Sequence, residues 1–283
     1  MDGRMKIQNL LEAEIKVPQS TYKEAMSVVC SDHFSRIVSF LLKDDDNFDL
    51  YLKIKPIIKQ YQNKYGNFTV YEDYLDNDTL SHDLVFSMKE VEKRYFMKGQ
   101  RKIGNRIIKI RVVYGDGPKG EYDPENKTIT VESPNSQSIR YFANNSKYIP
   151  SLITQVEGVV HHELMHVVQH LVWNNLGTEV AYRDEAGNIE YDKYYLDDIE
   201  YNPLIYSTFK DLKAQEDIIH QHLGRKLSTQ DRKDLFLSTV HPKAPDKFGL
   251  KRPLSGFYDT LYQKSPLQWK KAVKQLYGLY MKD

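Results

Sequence analysis

The 283-residue sequence has a single cysteine, Cys30, so no intramolecular disulfide can staple the fold. A chain without such staples suits a reducing compartment, and the lone thiol reads as a small buried hydrophobe. An excess of charge of one sign is missing as well, with 40 Lys and Arg against 39 Asp and Glu. That balance makes no field to draw in nucleic acid or an anionic membrane, and neither partner is indicated. Long apolar runs are lacking, since stretches such as Ile37 to Leu42 fall far short of the ~20 residues that span a bilayer. Near the N-terminus Glu12, Glu14 and Lys16 interrupt the apolar residues, unlike the uncharged core of a signal peptide. The expectation is a soluble, cytoplasmic protein without a membrane segment, long enough to bury a sizeable core.

Repeats are absent, and the acidic run Asp44-Asp45-Asp46 is the best candidate linker. It divides an N-terminal helical region, residues 1–45, from the remainder, 46–283. Apolar spacing predicts helices over Ser20 to Leu42, over Tyr51 to Tyr65 with a break at Pro56, and over His82 to Phe96. Two strands are expected at Arg106 to Tyr114 and Lys127 to Glu132, separated by a turn-prone stretch at Gly115-Asp116-Gly117-Pro118. Ser133 to Asn145 is polar and reads as a loop, after which Pro150 and Ser151 signal a helix start with Ser151 as cap. In the C-terminal third, His220-Gln221-His222 reads as a helix end with structural or surface histidines. Ser265-Pro266 opens an amphipathic packing helix that runs to Tyr280.

Within the helix predicted from Ser151 to about Trp173 stands His161-His162-Glu163-Leu164-Met165-His166. Histidines four apart on a helix project from one face about a turn apart, so His162 and His166 can reach one tetrahedral Zn²⁺. Glu163 lies ~100° around the helix from His162, placed to hydrogen-bond a water at the metal without being a ligand. Ile153, Val156, Val160, Leu164, Val167, Val168 and Leu171 gather on the opposite face, which packs inward while the histidine face looks into a cleft. His161 falls toward the apolar side and is poorly aimed at the metal. His170 lies ~12 Å along the axis from His162 and cannot join the same ion with it.

At these residues the sequence resembles the zincin superfamily of metallopeptidases, and the string His162 to His170, HELMHVVQH, is similar to bacterial and phage zincin-like peptidases. A HExxHxxxH pattern also occurs in the family of phage-repressor-cleaving peptidases. The resemblance covers the active helix and, more loosely, the strand before it and an acidic segment after it. It implies an α+β, zincin-like fold: a small mixed sheet, an active-site helix, a mostly helical C-terminal part and added N-terminal helices. It implies a zinc-dependent peptidase acting on a peptide or protein, with Glu163 as general base and Zn²⁺ as cofactor. Because Leu171-Val172-Trp173 follows His170, the glycine and third histidine of the metzincin extension are missing, and a downstream carboxylate is expected as third ligand. Glu179, Glu185, Glu190, Asp192, Asp197, Asp198, Glu200 and Glu216 are candidates. Glu200 is favoured because its surroundings, Tyr194 to Pro203, resemble the segment where glutamate-type zincins place that ligand. Asn202-Pro203 puts Glu200 either just outside a helix or, if the helix starts at Asp198, inside one that tolerates Pro203. Tyr194, Tyr195, Tyr201, Tyr206, His220 and His222 are candidate oxyanion donors. Strand 127–132, if it edges the cleft as in zincins, could pair with an extended peptide. The motif fixes the water chemistry and not the leaving group, so a non-peptide amidase and a non-catalytic binding protein are the competing readings.

Overall fold

The computed structural model describes residues 17–43, 47–74, 79–86, 105–115, 119–134, 136–173, 196, 198–249 and 255–282. These form a mixed α+β structure whose two compact units divide between Val168 and Gln169. The expected linker at 44–46 lies outside the described residues.

The first unit is built on a four-stranded sheet of β1 (Leu80–Phe86), β2 (Arg106–Gly115), β3 (Gly120–Asp123) and β4 (Thr128–Pro134), in the order β1-β2-β4-β3. β1 runs antiparallel to β2, β2 parallel to β4, and β3 antiparallel to β4. Strand alternation explains the two faces. Leu84, Phe86, Ile108, Ile110, Val112, Ile129 and Val131 are fully buried on one face, and Lys109 and Arg111 are exposed on the other. Helix α1 (Gln19–Leu42) packs on β1, β2 and β4 and against α2 (Phe48–Tyr65) and α3 (Ser136–Asn144). A 3₁₀ turn, Ser146–Tyr148, leads into α4 (Ile149–Trp173).

Strands β2 and β4 fall where the sequence predicts, but four neighbouring expectations are corrected. Residues 80–86 form a strand, not the start of a helix. The spacing of Leu84 and Val85 fits a helical face locally, yet all seven residues pair with β2, from Leu80 against Val112 to Phe86 against Arg106. Residues 87–96 lie outside the described residues. Ser133 to Asn145 is not a loop: β4 continues to Pro134 and α3 follows, its exposed Arg140, Tyr141 and Asn144 accounting for the polar look. α2 is not broken at Pro56, which sits on its exposed side where the carbonyl of Leu52, left without its helical donor, can meet solvent. α4 begins at Ile149, so Pro150 occupies its first turn and Ser151 is a buried interior residue instead of the cap.

Helix α1 is, by length and composition, long and apolar enough to cross a membrane, although 78% of its most apolar window is buried inside the protein. Counting uninterrupted apolar runs misses it because Ser, Asp, His and Arg punctuate the sequence. Those polar residues have partners in the core. Arg36 Nε donates to Asp32 Oδ2 at 2.7 Å, Tyr74 donates to Asp32 Oδ1 at 2.6 Å, and the guanidinium lies 3.8 Å from the centre of the Tyr114 ring.

The second unit holds α5 (Asp198–Leu223), α6 (Thr229–Val240), α7 (Ser255–Lys264) and α8 (Pro266–Tyr280) around a core that includes Ile205, Leu212, Phe236, Phe257, Tyr258, Leu276 and Tyr280. α6 starts with a capping box between Ser228 and Asp231. α8 has Ser265 as N-cap and Pro266 at its start, as expected, although the serine hydroxyl makes no cap bond. His220 and His222 occupy the last turn of α5, again as expected.

On α5 the Asp211 carboxyl, withdrawn from solvent, is pushed up from 3.8 to about 7 by desolvation. A carboxyl raised in the folded state lowers stability progressively as pH climbs from the unfolded value to the folded one. Asp211→Asn should therefore leave urea stability unchanged near pH 4 and raise it by about 2 to 4 kcal/mol near pH 8. An equal effect at both pH values would contradict this.

Candidate metal centre

The α4 helix places its chemistry by rotation. All seven apolar residues expected on its inner face are buried, and His162 and Glu163 are also covered, at 8% and 6% exposure. Glu157 helps to set that rotation within the first unit. Its carboxylate accepts from Lys64 Nζ at 2.5 Å and from the Tyr65 hydroxyl, so α4 is tied to α2. Burial and the nearby Glu157 charge push the Tyr65 phenol well above its ordinary range. Cys30 is buried, and desolvation followed by the same glutamate raises its thiol, which disfavours the reactive thiolate.

One turn apart on α4, the Nε2 atoms of His162 and His166 converge to 2.9 Å, with ring centres 4.6 Å apart. Two imidazole nitrogens bound tetrahedrally to one zinc would stand ~3.3 Å apart, so the pair is close to the spacing such an ion requires. His161 points elsewhere and packs edge-on to Tyr22, with ring centres 5.7 Å apart.

Glu200 lies inside α5, because the helix starts at Asp198 and carries Pro203 within it. Only one backbone bond is given up at that proline. Glu200 is 3% exposed, so it is not a solvated surface carboxylate. Among the described residues, one group of His, Cys, Asp or Glu side chains could hold a metal ion. It is His162, His166 and Glu200, whose ligand atoms all lie within 4.8 Å of one another. The donor set, two imidazole nitrogens and one carboxylate oxygen, is that of hydrolytic zinc sites that keep a fourth position open.

Several of the other expected residues have partners of their own. Glu216 is engaged with Lys213 and Arg232. The Tyr201 hydroxyl donates to the Gln268 carbonyl at 3.3 Å, and Tyr206 packs against Phe209. Glu179, Glu185, Glu190, Asp192, Tyr194, Tyr195 and Asp197 lie outside the described residues, as do Asn174, Asn175 and Gly177, whose residue types suit a helix end.

Two features escape sequence reasoning. β4 is not the edge strand: β3 covers it, and among the described residues β3 forms that edge of the sheet. The second feature is Gly120, the first residue of β3, which lies directly over Glu163. A Cβ built on it would stand 2.8 Å from Glu163 Cγ and 3.1 Å from Glu163 Oε1. The signal that could have located β3 is the turn after it. Asp123 Oδ1 accepts the amides of Glu125 and Asn126 at 2.9 and 3.0 Å, the Asp-Pro turn pattern that reverses a chain between two strands. The Asn126 side chain and amide hold the half-buried Asp123 carboxyl below its ordinary range.

Comparisons with protein-family models, with curated proteins and with solved structures find no match for this chain.

Proposed function

We propose that this protein is a zincin-like, zinc-dependent hydrolase whose substrate is a peptide bond, with the metal held by His162, His166 and Glu200. The convergence of those three ligand atoms, beside a glutamate in the HExxH position, is the observation that carries the reading. When bound, zinc supplies positive charge that acidifies a water and polarises a carbonyl.

The chain's own residues supply the rest. Glu163, next to His162 and buried beneath β3, accepts a proton from the attacking water and returns it to the leaving nitrogen. Burial removes competing solvent from its carboxylate, so the proton passes between defined atoms. The edge of β3 supports a peptide as substrate. Glu132 N donates to Lys119 O at 2.8 Å, and the alternation of an antiparallel ladder then turns the backbone N–H and C=O of Gly120 away from β4. An extended peptide laid on that edge would bond the backbone immediately above Glu163.

Metal analysis joined to a cleavage assay tests the reading. Purified protein should hold about one zinc per chain and cut an unfolded protein or a peptide library. A chelator should abolish cutting and added zinc should restore it. A metal-free protein that cuts nothing after zinc is added would overturn the proposal. Zinc-dependent hydrolysis confined to non-peptide amides would overturn its substrate.

A further inference from the structure

Gly120 does not owe its identity to backbone conformation. The glycines with positive φ among the described residues are Gly66, Gly224 and Gly249, so at position 120 an L-residue would meet no backbone penalty. Space is the constraint. A Cβ there would come within 2.6 Å of Val159 Cγ1, 2.8 Å of Glu163 Cγ and 3.1 Å of Glu163 Oε1. Val159 and Glu163 are four apart on α4 and form neighbouring points of one helical ridge. Gly120 is paired with Val131, whose side chain is buried, so the missing side chain would have lain on the inner face of β3. The edge strand thus rests its bare backbone on the stem of the glutamate.

Given the hydrolase function proposed above, we infer that Gly120 is a positioning residue for catalysis: its lack of a side chain leaves the Glu163 carboxylate the room to take its working position. A methyl group at position 120 must displace the Glu163 stem, the Val159 side chain or the strand itself. A general base works only within hydrogen-bond reach of the proton it takes, and misplacement by ~1 Å can cost about a hundredfold in rate. Zinc binding does not pass through Glu163, so the metal should be indifferent to the change.

The test separates catalysis from packing by using two variants. Gly120→Ala should lower kcat about tenfold to a hundredfold, with KM and zinc content unchanged. Gly120→Ala with Val159→Ala removes the clash that concerns packing alone. It should regain thermal stability and keep the low kcat. Recovery of kcat in the double variant, or an unchanged kcat in Gly120→Ala, would overturn the inference.

A readout independent of turnover accompanies these. With ¹³C-labelled glutamate carboxyls, the Glu163 resonance is assigned by its loss in Glu163→Gln, and it should move in the double variant. If it stays in place, Gly120 does not position Glu163. Should the wild-type protein cleave nothing, the hydrolase reading fails on that result, and the carboxyl resonance still decides the structural part of this inference.

Discussion

Replacing Glu163 with glutamine should lower kcat by about 10²- to 10⁴-fold while the protein keeps its zinc and its fold. The substitution preserves shape and hydrogen-bonding capacity yet removes the ability to accept a proton at neutral pH. Three measurements on one preparation are sufficient: zinc per chain, thermal midpoint and turnover of a zinc-dependent substrate. Turnover equal to wild type would remove Glu163 from the mechanism. Loss of zinc together with turnover would show that the glutamate acts as a ligand.

Glu200→Ala should weaken zinc retention by on the order of a thousandfold. A protein zinc site is worth roughly 10 to 16 kcal/mol in total, and one ligand of a small set carries a few of those. Competition with a chromogenic chelator measures the change directly. Glu216→Ala is the matched control on the same helix, since that carboxylate is engaged with Lys213 and Arg232 and should leave zinc affinity untouched. Retention of zinc by Glu200→Ala would hand the third position to another carboxylate, for which Glu179, Glu185, Glu190, Asp192, Asp197 and Asp198 are the candidates. Glu200→Gln keeps the volume and distinguishes a lost ligand from a collapsed cavity.

Legibility in the sequence tracked the range of the forces involved. The faces of α4 could be read because helical geometry is local: the positions of His162, Glu163 and His166 relative to the apolar residues follow from ~100° per residue alone. β2 and β4 were legible for the same reason, each having enough Ile and Val to declare an inner face. β1 was not, because a seven-residue segment with Leu84 and Val85 adjacent fits a helix as well as a strand, and its pairing with β2 is a non-local event. β3 was not, because Gly-Glu-Tyr-Asp carries little strand propensity and is held by the Asp123 turn and by β4. The helical setting of Glu200 remained open for a related reason. Pro203 argues locally against a helix that begins at Asp198, and the structure forms that helix nonetheless. The consequence for the site is uneven: two histidines and a glutamate could be placed from spacing, but the strand that lies over the glutamate could not.

That strand brings a hazard along with its use. A strand edge that can pair with a substrate can pair with any extended chain, including another copy of this protein. β3 spans only Gly120–Asp123, begins with a residue that offers no side chain to stack, and carries Glu121 and Asp123. Short length and negative charge allow brief pairing with a passing peptide and oppose the long in-register stacking that leads to aggregates. Lengthening β3 with β-branched residues would therefore turn a short, charged edge into a nucleus of self-assembly.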